Sequence, residues 1–238
     1  MTRHFDPKSL QFYITLPSPC PYLPGEMERK IFTPLDPIDG PKLNDYLTHS
    51  GFRRSQNVIY RPACETCNAC QSLRVKVQKF SPRKSMKRIS TKNQGISREV
   101  VENLATQEQF DLLYAYLHSR HPKGGMTEMN FDRYEKMVED CAARTEIFEY
   151  RDTKGRLIAC CITDSLHDGL SMVYSFFDTE QPKRSLGNYM ILDHITVCKR
   201  AGLPYLYLGY WVKNSAKMCY KSRYKPYQTL GVNGWIDN

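Results

Sequence analysis

The chain has 238 residues, 41% of them hydrophobic and 12% aromatic, which suffices for one large domain or two small ones and excludes wholesale disorder. Its formal net charge of +9 indicates a polyanionic partner, usually nucleic acid, although a basic enzyme without such a partner would show the same balance. The sequence has no apolar run near the ~20 residues of a membrane helix and no signal-peptide core, so we expect a cytoplasmic protein whose nine cysteines are reduced.

The first predicted element is a rigid loop. Four prolines between residues 17 and 24 surround Cys20 and Tyr22, and proline fixes φ and removes backbone donors. Such a loop either lines a site or serves as a structural entry segment with a buried Cys20. A short helix from Pro41 to Ser50 follows, and Gly51 suits its C-terminal end.

Residues 52–77 concentrate basic, sulfur-containing and turn residues, and we expect them to build one wall of a substrate pocket. Strands are predicted at 57–60 and 72–77, with a cysteine segment as the turn between them. The basic residues of this wall are Arg53, Arg54 and Arg61.

The cysteines of that segment are evenly spaced and could bind metal. Cys64, Cys67 and Cys70, together with Cys20, could give four thiolates to Zn²⁺ or to an iron–sulfur cluster. Otherwise they are structural or redox-sensitive thiols. A non-catalytic zinc ribbon that binds nucleic acid is a further possibility, but it does not account for the regular elements of the C-terminal half.

A basic segment follows at residues 80–98. Its cations recur at helical spacing and no acidic residue balances them, which favours contacts with nucleic-acid phosphates over a solvated linker helix. The residues that would contact the phosphates are Arg83, Lys84, Lys87, Arg88 and Lys92.

The second half of the chain shows a regular order of elements. Thr106 and Gln109 form a capping box before the first helix. The later elements are a helix at 131–143, strands at 145–150, 156–163 and 170–177, a helix at 186–200, a strand at 204–210, a helix at 213–220 and a strand at 227–235. This order predicts an α/β (α+β) protein with the acyl-CoA N-acyltransferase (GNAT-like) fold and a mixed central sheet. We expect a small cysteine-containing domain at 1–100 and the GNAT-like domain at 101–238.

In that fold a glycine turn before the long helix binds a phosphate. Arg184-Ser-Leu-Gly187 fits the start of the turn, but Tyr189 stands where a small residue is usual. A ring at that position would crowd a pyrophosphate, so we expect aminoacyl-tRNA rather than coenzyme A as the acyl donor. The alternative is a plain glycine turn that opens a helix.

Motifs in both halves of the chain carry a family resemblance. In the C-terminal half they are Tyr174-Ser-Phe-Phe-Asp178, Arg184-Ser-Leu-Gly187, Tyr205-Leu-Tyr-Leu-Gly-Tyr-Trp211, Met218-Cys-Tyr-Lys221 and Tyr224-Lys-Pro226. In the N-terminal half they are Pro19-Cys-Pro-Tyr-Leu-Pro-Gly25, Gly51-Phe-Arg-Arg-Ser55 and Tyr60-Arg-Pro-Ala-Cys64, followed by Cys67 and Cys70. The chain resembles the arginyl-tRNA–protein transferases, and within them the bacterial leucyltransferase branch.

This resemblance implies an enzyme that moves leucine from Leu-tRNA to proteins with N-terminal Asp or Glu and so marks them for N-degron proteolysis through a protease adaptor. It implies no required cofactor. Eukaryotic members carry two further cysteines where this chain has Leu23 and Ala69, which leaves the metal site open. Beside the basic segment, the residues expected to hold the tRNA end are Arg184, Ser185, Gly187 and Lys221.

The implied reaction is aminolysis of an activated ester, which needs positioning, removal of a proton and stabilisation of an oxyanion. Asp178 is the first candidate to organise or deprotonate the amine, with Tyr174 and Tyr207 as hydrogen-bond donors; a turn or cap role for Asp178 is the alternative. His194, in the middle of a helix, is expected to be a packed polar residue.

An acidic N-terminal residue needs a cation, and arginine offers bidentate geometry. Arg54 and Arg61 are favoured and Arg53 is a third candidate, with Cys20 and Tyr22 beside them. The arginines could instead pair with Glu26 or Glu28, or contact tRNA. Two other activities compete with the leucyl assignment: arginyl transfer from Arg-tRNA to the same acceptors, and an acetyl-CoA-dependent N-acetyltransferase.

Overall fold

The computed structural model describes residues 10–122, 124–213 and 215–238. Residues 1–9, the first part of the segment predicted to lack a signal-peptide core, lie outside these ranges, as does Asn214 within the helix predicted at 213–220. Among the described residues, every helix is too short or too polar to cross a bilayer.

The first part of the chain forms a small antiparallel sheet with one helix. Its elements are β1 (Tyr13–Ile14), β2 (Ser18–Pro19), β3 (Met27–Glu28), β4 (Lys30–Pro34), α1 (Gly40–His49), β5 (Arg53–Ser55) and β6 (Val58–Pro62). The strand order is β1-β4-β6-β5, and β2 pairs with β3 separately. Leu35, Leu43, Leu47, Phe52 and Ile59 form its core between α1 and the sheet.

The rest of the chain builds an eight-stranded mixed sheet with helices on both faces. Its elements are β7 (Gln71–Lys76), α2 (Lys84–Lys92), β8 (Ser97–Glu102), α3 (Gln107–Arg120), α4 (Phe131–Glu139), β9 (Thr145–Arg151), β10 (Leu157–Leu166), β11 (Gly169–Phe177), α5 (Leu186–Arg200), β12 (Tyr205–Trp211), β13 (Tyr227–Gly231) and β14 (Gly234–Asp237). The order is β14-β13-β7-β12-β11-β10-β9-β8, and only β11 and β12 are parallel among these described strands. The predicted GNAT-like fold is confirmed.

Two cores cover the two faces of this sheet. Leu113 and Leu117 of α3 and Val138 of α4 pack on one face, and Met190 and Ile195 of α5 pack on the other. The capping box predicted at Thr106 is present, because its side chain accepts from Gln109 N–H and Gln109 reaches back to the Thr106 N–H. His194 is fully buried between Thr163 and the Met190 carbonyl, so its predicted packing role is confirmed.

Several predicted elements differ in the structure. The helix predicted at 213–220 is replaced by turns and a 3₁₀ helix at Cys219–Arg223, because the segment offers no apolar stripe that could hold a helix. The helix predicted to Ala143 ends at Glu139, and the strand predicted at 227–235 is the hairpin of β13 and β14. Strand β8 begins within the basic segment, where no strand was predicted, and it is largely exposed at the edge of the sheet.

The first and second sheets are linked through the cysteine segment. β6 and β7, predicted to flank it as neighbouring strands, belong to different sheets, so residues 63–70 are a connection rather than a hairpin turn. β7 lies between β12 and β13, and β8 begins at Ser97, so the large sheet takes strands from both sides of residue 100.

Candidate active site

A cleft opens where the two parallel strands of the large sheet separate. β11 and β12 pair only from Gly169 to Ser171 against Tyr205 to Tyr207, and no further pairing joins them in the described chain. The cleft has a volume of about 630 Å³. Its walls come from β11, the N-terminus of α5, the C-terminal end of α3 and the segment before β13.

Arg53 fills the gap between the separated strands. It extends from β5, and its Nη2 donates to the Val173 carbonyl, with the Met172 carbonyl 3.4 Å away. A bulge in the β10–β11 register falls beside these carbonyls. Gly209 lies against the guanidinium with φ of +70°, and a Cβ there would overlap Arg53 Nη1. That Nη1 is buried and has no hydrogen-bond partner among the residues described.

Lys221 forms part of the floor of the same cleft. The side chain is buried, and Nζ donates to the Tyr210 carbonyl oxygen at 2.6 Å. Burial and the charge of Arg53 lower the pKa of Lys221 well below its usual value of 10.5. The sequence predicts that Lys221 contacts the tRNA end; the structure places its amine in a buried position beside the cleft rather than on an exposed surface.

The N-terminus of α5 forms the opposite wall. Ser185, Leu186, Gly187 and Asn188 line the cleft there, and Ser185 adopts a left-handed conformation with φ of +53°. The first N–H groups of a helix lack intrahelical partners, and the helix dipole favours an anion beside them. A Cβ at Gly187 would lie 3.0 Å from the Phe177 ring, so this glycine also allows α5 to approach β11.

Tyr189 does not project into the cleft. It is half-buried against the core and its ring meets that of Tyr150 edge-on. Contrary to the prediction, its ring does not crowd an anion at this turn, because one residue along a helix turns the side chain away from the face of Asn188.

Sequence reasoning missed the cations at the mouth of the cleft. Arg120, His121 and Lys217 line it together with Tyr116 and Tyr220. Burial and the charges of Arg120 and Lys217 lower the pKa of His121. These residues come from the end of α3 and from a turn, and the charges of Arg120 and Lys217 did not indicate that the two segments meet.

Asp178 and Tyr174 both line the cleft, as expected of catalytic candidates. The Asp178 carboxylate is already occupied: Arg156 Nη2 donates to Oδ2 at 3.0 Å, Gln181 Nε2 donates to it at 2.8 Å, and Glu180 N–H donates to Oδ1. This arrangement corresponds to the turn and cap alternative rather than to a free base. Burial raises the pKa of Tyr174, which keeps its hydroxyl protonated.

Tyr207, the third catalytic candidate, lies outside the cleft. Its hydroxyl receives a hydrogen bond from Arg74 Nη1 and lies 3.2 Å from His49 Nε2. His49 in turn lies 2.8 Å from Asp168 Oδ2. Side chains alternate along a strand, so Leu208 points to the cleft and Tyr207 to the other face. Its assignment as a catalytic residue does not agree with this position.

The group around Tyr207 contains potential metal ligands. Asp45, His49, His167 and Asp168 each place one ligand atom within 4.8 Å of the others. His167 Nδ1 lies 2.7 Å from Asp45 Oδ2, so histidines and aspartates pair with each other. The Arg74 guanidinium lies 3.7 Å from Asp168 and supplies positive charge, and the histidines and aspartates are satisfied by hydrogen bonds with each other that join α1 to the β10–β11 turn.

Arg54, favoured to read the acceptor, is buried in an ion pair. Its Nε and Nη2 donate to the two carboxylate oxygens of Asp164 at 2.7 Å each, and both side chains are at most 2% exposed. Thr145 and Asn44 also donate to Asp164. Arg54 thus has no surface for a substrate, and the structure gives it a packing role.

Arg61 and the cysteines line a second cavity of about 420 Å³. Tyr22 lines both cavities, so the two adjoin, while Cys20 lines the second. Arg61 is exposed, its guanidinium lies 5.2 Å from the Phe52 ring centroid, and Lys30 is paired with Glu28 there. The wall predicted from residues 52–77 thus contributes to both cavities.

The four candidate metal ligands Cys20, Cys64, Cys67 and Cys70 share this second cavity. Burial and the neighbouring thiols raise the pKa of Cys70 to about 11. Thiolates are the donors that zinc and iron–sulfur clusters take. Within the described ranges, however, no three of these sulfur atoms are gathered to the spacing of a metal group.

The basic helix α2 lies beside the N-terminus of α5. Asn93 Nδ2 donates to the Arg184 carbonyl at 2.9 Å, and Lys92 Nζ lies 3.5 Å from the Lys183 carbonyl. Met86 faces the core. The predicted phosphate contacts Arg83, Lys84, Lys87, Arg88 and Lys92 are all exposed on this helix or at its start, and Arg184 is half-buried between α2 and the cleft.

Comparison with known proteins gives matches over both halves of the chain. Family models described as "Arginine-tRNA-protein transferase", N terminus and C terminus, match residues 18–88 and 108–231. The chain is 52% identical to a Caulobacter vibrioides protein named aspartate/glutamate leucyltransferase, over 99% of this chain and 86% of that protein. A Maricaulis maris protein of the same name is 51% identical over 99% of this chain and 92% of its own length.

Among solved structures, L-PGS from Bacillus licheniformis matches with a TM-score of 0.53 and 13% identity. The match covers 68% of this chain and 60% of that chain. At 13% identity, this match is evidence for a shared fold alone.

Proposed function

Since the chain belongs to the arginine-tRNA–protein transferase family, we propose that it transfers leucine from Leu-tRNA to the N-terminal amine of proteins that begin with Asp or Glu. The observation that carries this proposal is the cleft at the separated strands, which combines apolar walls, a helix N-terminus and several cationic side chains. A reaction between an ester and an amine needs both groups within near-contact distance. A single cleft that binds both groups would hold them at that distance.

The walls of the cleft favour leucine as the transferred residue. An arginine side chain would need an acidic partner, whereas a leucine side chain needs apolar contact. Asp178 is the single acidic side chain among the described lining residues, and Arg156 occupies it. The apolar lining residues are Met172, Val173, Phe177, Leu186, Ile191, Leu208 and Met218.

The tRNA acceptor end would enter past the α5 N-terminus. Helix α2 places its exposed cations next to that terminus, through the contacts of Asn93 and Lys92. Phosphate binding by such cations depends on charge and weakens with salt. In this arrangement the terminal adenosine lies near Ser185 and Asn188, with the ester directed into the cleft.

Arg53 is the arginine best placed to receive the acidic side chain of the acceptor. In an N-terminal Asp or Glu, the α-amine and the side-chain carboxylate are only a few bonds apart, so the reader must share the cleft with the ester. Arg53 lines that cleft, whereas Arg61 lies in the adjoining cavity, where it and Cys20 could contact later residues of the acceptor. Tyr22, between the two cavities, would then mark the path of the acceptor chain.

The proposed transfer needs no cofactor, because an aminoacyl ester is already activated. If the four cysteines bind zinc or an iron–sulfur cluster, the ion would order the loop that carries Tyr22. The product would carry an N-terminal leucine, which we propose a protease adaptor recognises, and the reaction would take place in the cytoplasm, where charged tRNA is found.

A transfer assay tests the proposal. Labelled Leu-tRNA and Arg-tRNA are offered separately with peptides that differ only in an N-terminal Asp, Glu, Arg or Ala. We expect transfer from Leu-tRNA to the Asp and Glu peptides alone. Transfer from Arg-tRNA alone would overturn the leucyl assignment, and acetylation from acetyl-CoA with no transfer from either tRNA would overturn the proposed reaction.

A further inference from the structure

Lys221 is a buried amine in the cleft that the family comparison leaves without a role. We propose that Lys221 is the general base that takes a proton from the α-ammonium group of the acceptor. This inference rests on the proposed transfer reaction and adds the residue that makes the amine nucleophilic.

The geometry leaves the lone pair of Lys221 free. Nζ makes one hydrogen bond within residues 10–122, 124–213 and 215–238, as donor to the Tyr210 carbonyl. No carboxylate of those residues pairs with it, so nothing in the described site demands the ammonium form. The residue is 8% exposed, and it is one of the residues that line the cleft.

The surroundings favour the neutral form of this amine. Burial removes the hydration that stabilises an ammonium ion, and the nearby Arg53 guanidinium opposes a second positive charge. Both effects lower the pKa of Lys221. A lysine in its neutral form can accept a proton from an α-ammonium group, whose usual pKa is about 7.7–8.0.

The other titratable groups of the cleft suit the role less well. Asp178 is held by Arg156 and Gln181 at the mouth, and His121 lies there with Arg120 and Lys217. Burial raises the pKa of the tyrosines that line the cleft, which makes each of them a donor rather than a base at neutral pH; they are Tyr22, Tyr116, Tyr174 and Tyr220.

Lys221 and Arg53 together match the two charged groups of the acceptor's first residue. The carboxylate of Asp or Glu would pair with Arg53, and the α-ammonium would donate to Lys221. An N-terminal Arg or Lys would place its side-chain cation against Arg53 instead, so the same pair explains why acidic N-termini are selected.

The acceptor nitrogen loses two protons during the transfer. Lys221 takes one proton from the acceptor α-ammonium, and the freed nitrogen lone pair forms the C–N bond to the leucyl carbonyl carbon. The ester C–O bond breaks with its electrons on the ribose oxygen, which receives the second proton lost by the nitrogen. The products are the amide, uncharged tRNA and protonated Lys221, which releases its proton to water.

The test compares Lys221→Met and Lys221→Gln with Lys217→Met, a lysine of the same cleft that is exposed at its mouth. Glutamine can still donate to the Tyr210 carbonyl but cannot accept the proton. We expect both Lys221 variants to lose about 100-fold or more in kcat, with the KM for Leu-tRNA changed less than about 3-fold. Lys217→Met should instead raise that KM.

A second measurement separates a base from a structural residue. Acceptor peptides that begin with 4,4-difluoroglutamate have a less basic α-amine, which is largely deprotonated without help. The kcat defect of the Lys221 variants should shrink at least about tenfold with this acceptor, whereas a misfolded cleft would be equally slow with both.

Three results would overturn the inference: near wild-type kcat in both Lys221 variants, an unchanged defect with the fluorinated acceptor, or a defect confined to KM. Each of these would leave the wild-type transfer activity in place, so they are distinct from a failure of the proposed function.

Discussion

Replacing Arg54 with methionine should destabilise the protein strongly and leave its choice of acceptor unchanged. Arg54 and Asp164 are almost fully buried and exchange two hydrogen bonds of 2.7 Å. Arg54→Met would leave the Asp164 carboxylate with Thr145 and Asn44 as its partners and with no compensating charge. Loss of one partner of such a pair costs about 3–5 kcal/mol.

That cost is a large part of the stability of a typical domain, which is about 5–15 kcal/mol. For a protein of this size each kcal/mol lowers the melting temperature by roughly 2–4 °C, so we expect a fall of roughly 6–20 °C. Thermal unfolding measures the fall, and transfer to Glu and Ala peptides, normalised to folded protein, measures selectivity.

Two matched variants sharpen the result. Arg54→Met combined with Asp164→Leu removes both charges and should recover most of the lost stability, since an apolar pair can replace a buried ion pair. Because Arg61 is exposed, Arg61→Met should change the melting temperature little. Two results would contradict a purely structural role for the buried pair. One is a fall in melting temperature of less than about 2 °C for Arg54→Met, and the other is a loss of transfer activity that is larger with Glu peptides than with Ala peptides.

Other variants probe the remaining features. Lys87→Ala should reduce the slope of log affinity for Leu-tRNA against log salt by about 1 with kcat unchanged, and an unaltered slope would remove α2 from the tRNA path. The hydrogen bond to its aspartate partner raises the pKa of His49 above 6.5, so its stabilisation is complete below that pH and lost as pH rises through the folded value. His49→Gln should therefore lower the free energy of unfolding more at pH 5.5 than at pH 9 in urea titrations, and equal losses would contradict this. Gly209→Ala should cost about 1–2 kcal/mol from its positive φ and in addition displace Arg53, lowering kcat/KM at least about tenfold. Gly155→Ala introduces the same backbone strain from a positive φ, but nothing lies within 4 Å of the added Cβ. If Gly155→Ala lowered the activity as much as Gly209→Ala, the steric explanation would be refuted.

The long-range order of elements could be read from the sequence because its signals are strong. The helix predicted at 186–200 has the bounds of α5, since its apolar stripe is regular and Gly202 ends it. The strands of the β9–β11 meander were found for the same reason, with clear turns between apolar runs.

The sequence could not predict the direction in which individual side chains point where strands are short. Arg53 and Arg54 are consecutive on the three-residue strand β5, so one enters the cleft and the other the core. Such a strand has no alternation from which to choose between them, and the sequence-based prediction favoured Arg54, which lies in the core. The same one-residue ambiguity separates Tyr207 from Leu208.

The sequence also could not predict which residues of turns reach the cleft. Lys217 and His121 reach the mouth of the cleft from segments that are far apart in the chain. Only the three-dimensional path of the loops brings them together, and charge alone did not mark them as neighbours.

The position of β7 has a consequence for how the protein is made. The strand is synthesised early, yet both of its neighbours in the sheet, β12 and β13, emerge from the ribosome only near the end of translation. Until then β7 carries two unpaired edges and the apolar side chains of Leu73 and Val75, which are fully buried in the finished fold. Exposed strands of this kind invite association with other chains, so we expect the nascent protein to depend on chaperones and to acquire its cleft in the last step of folding.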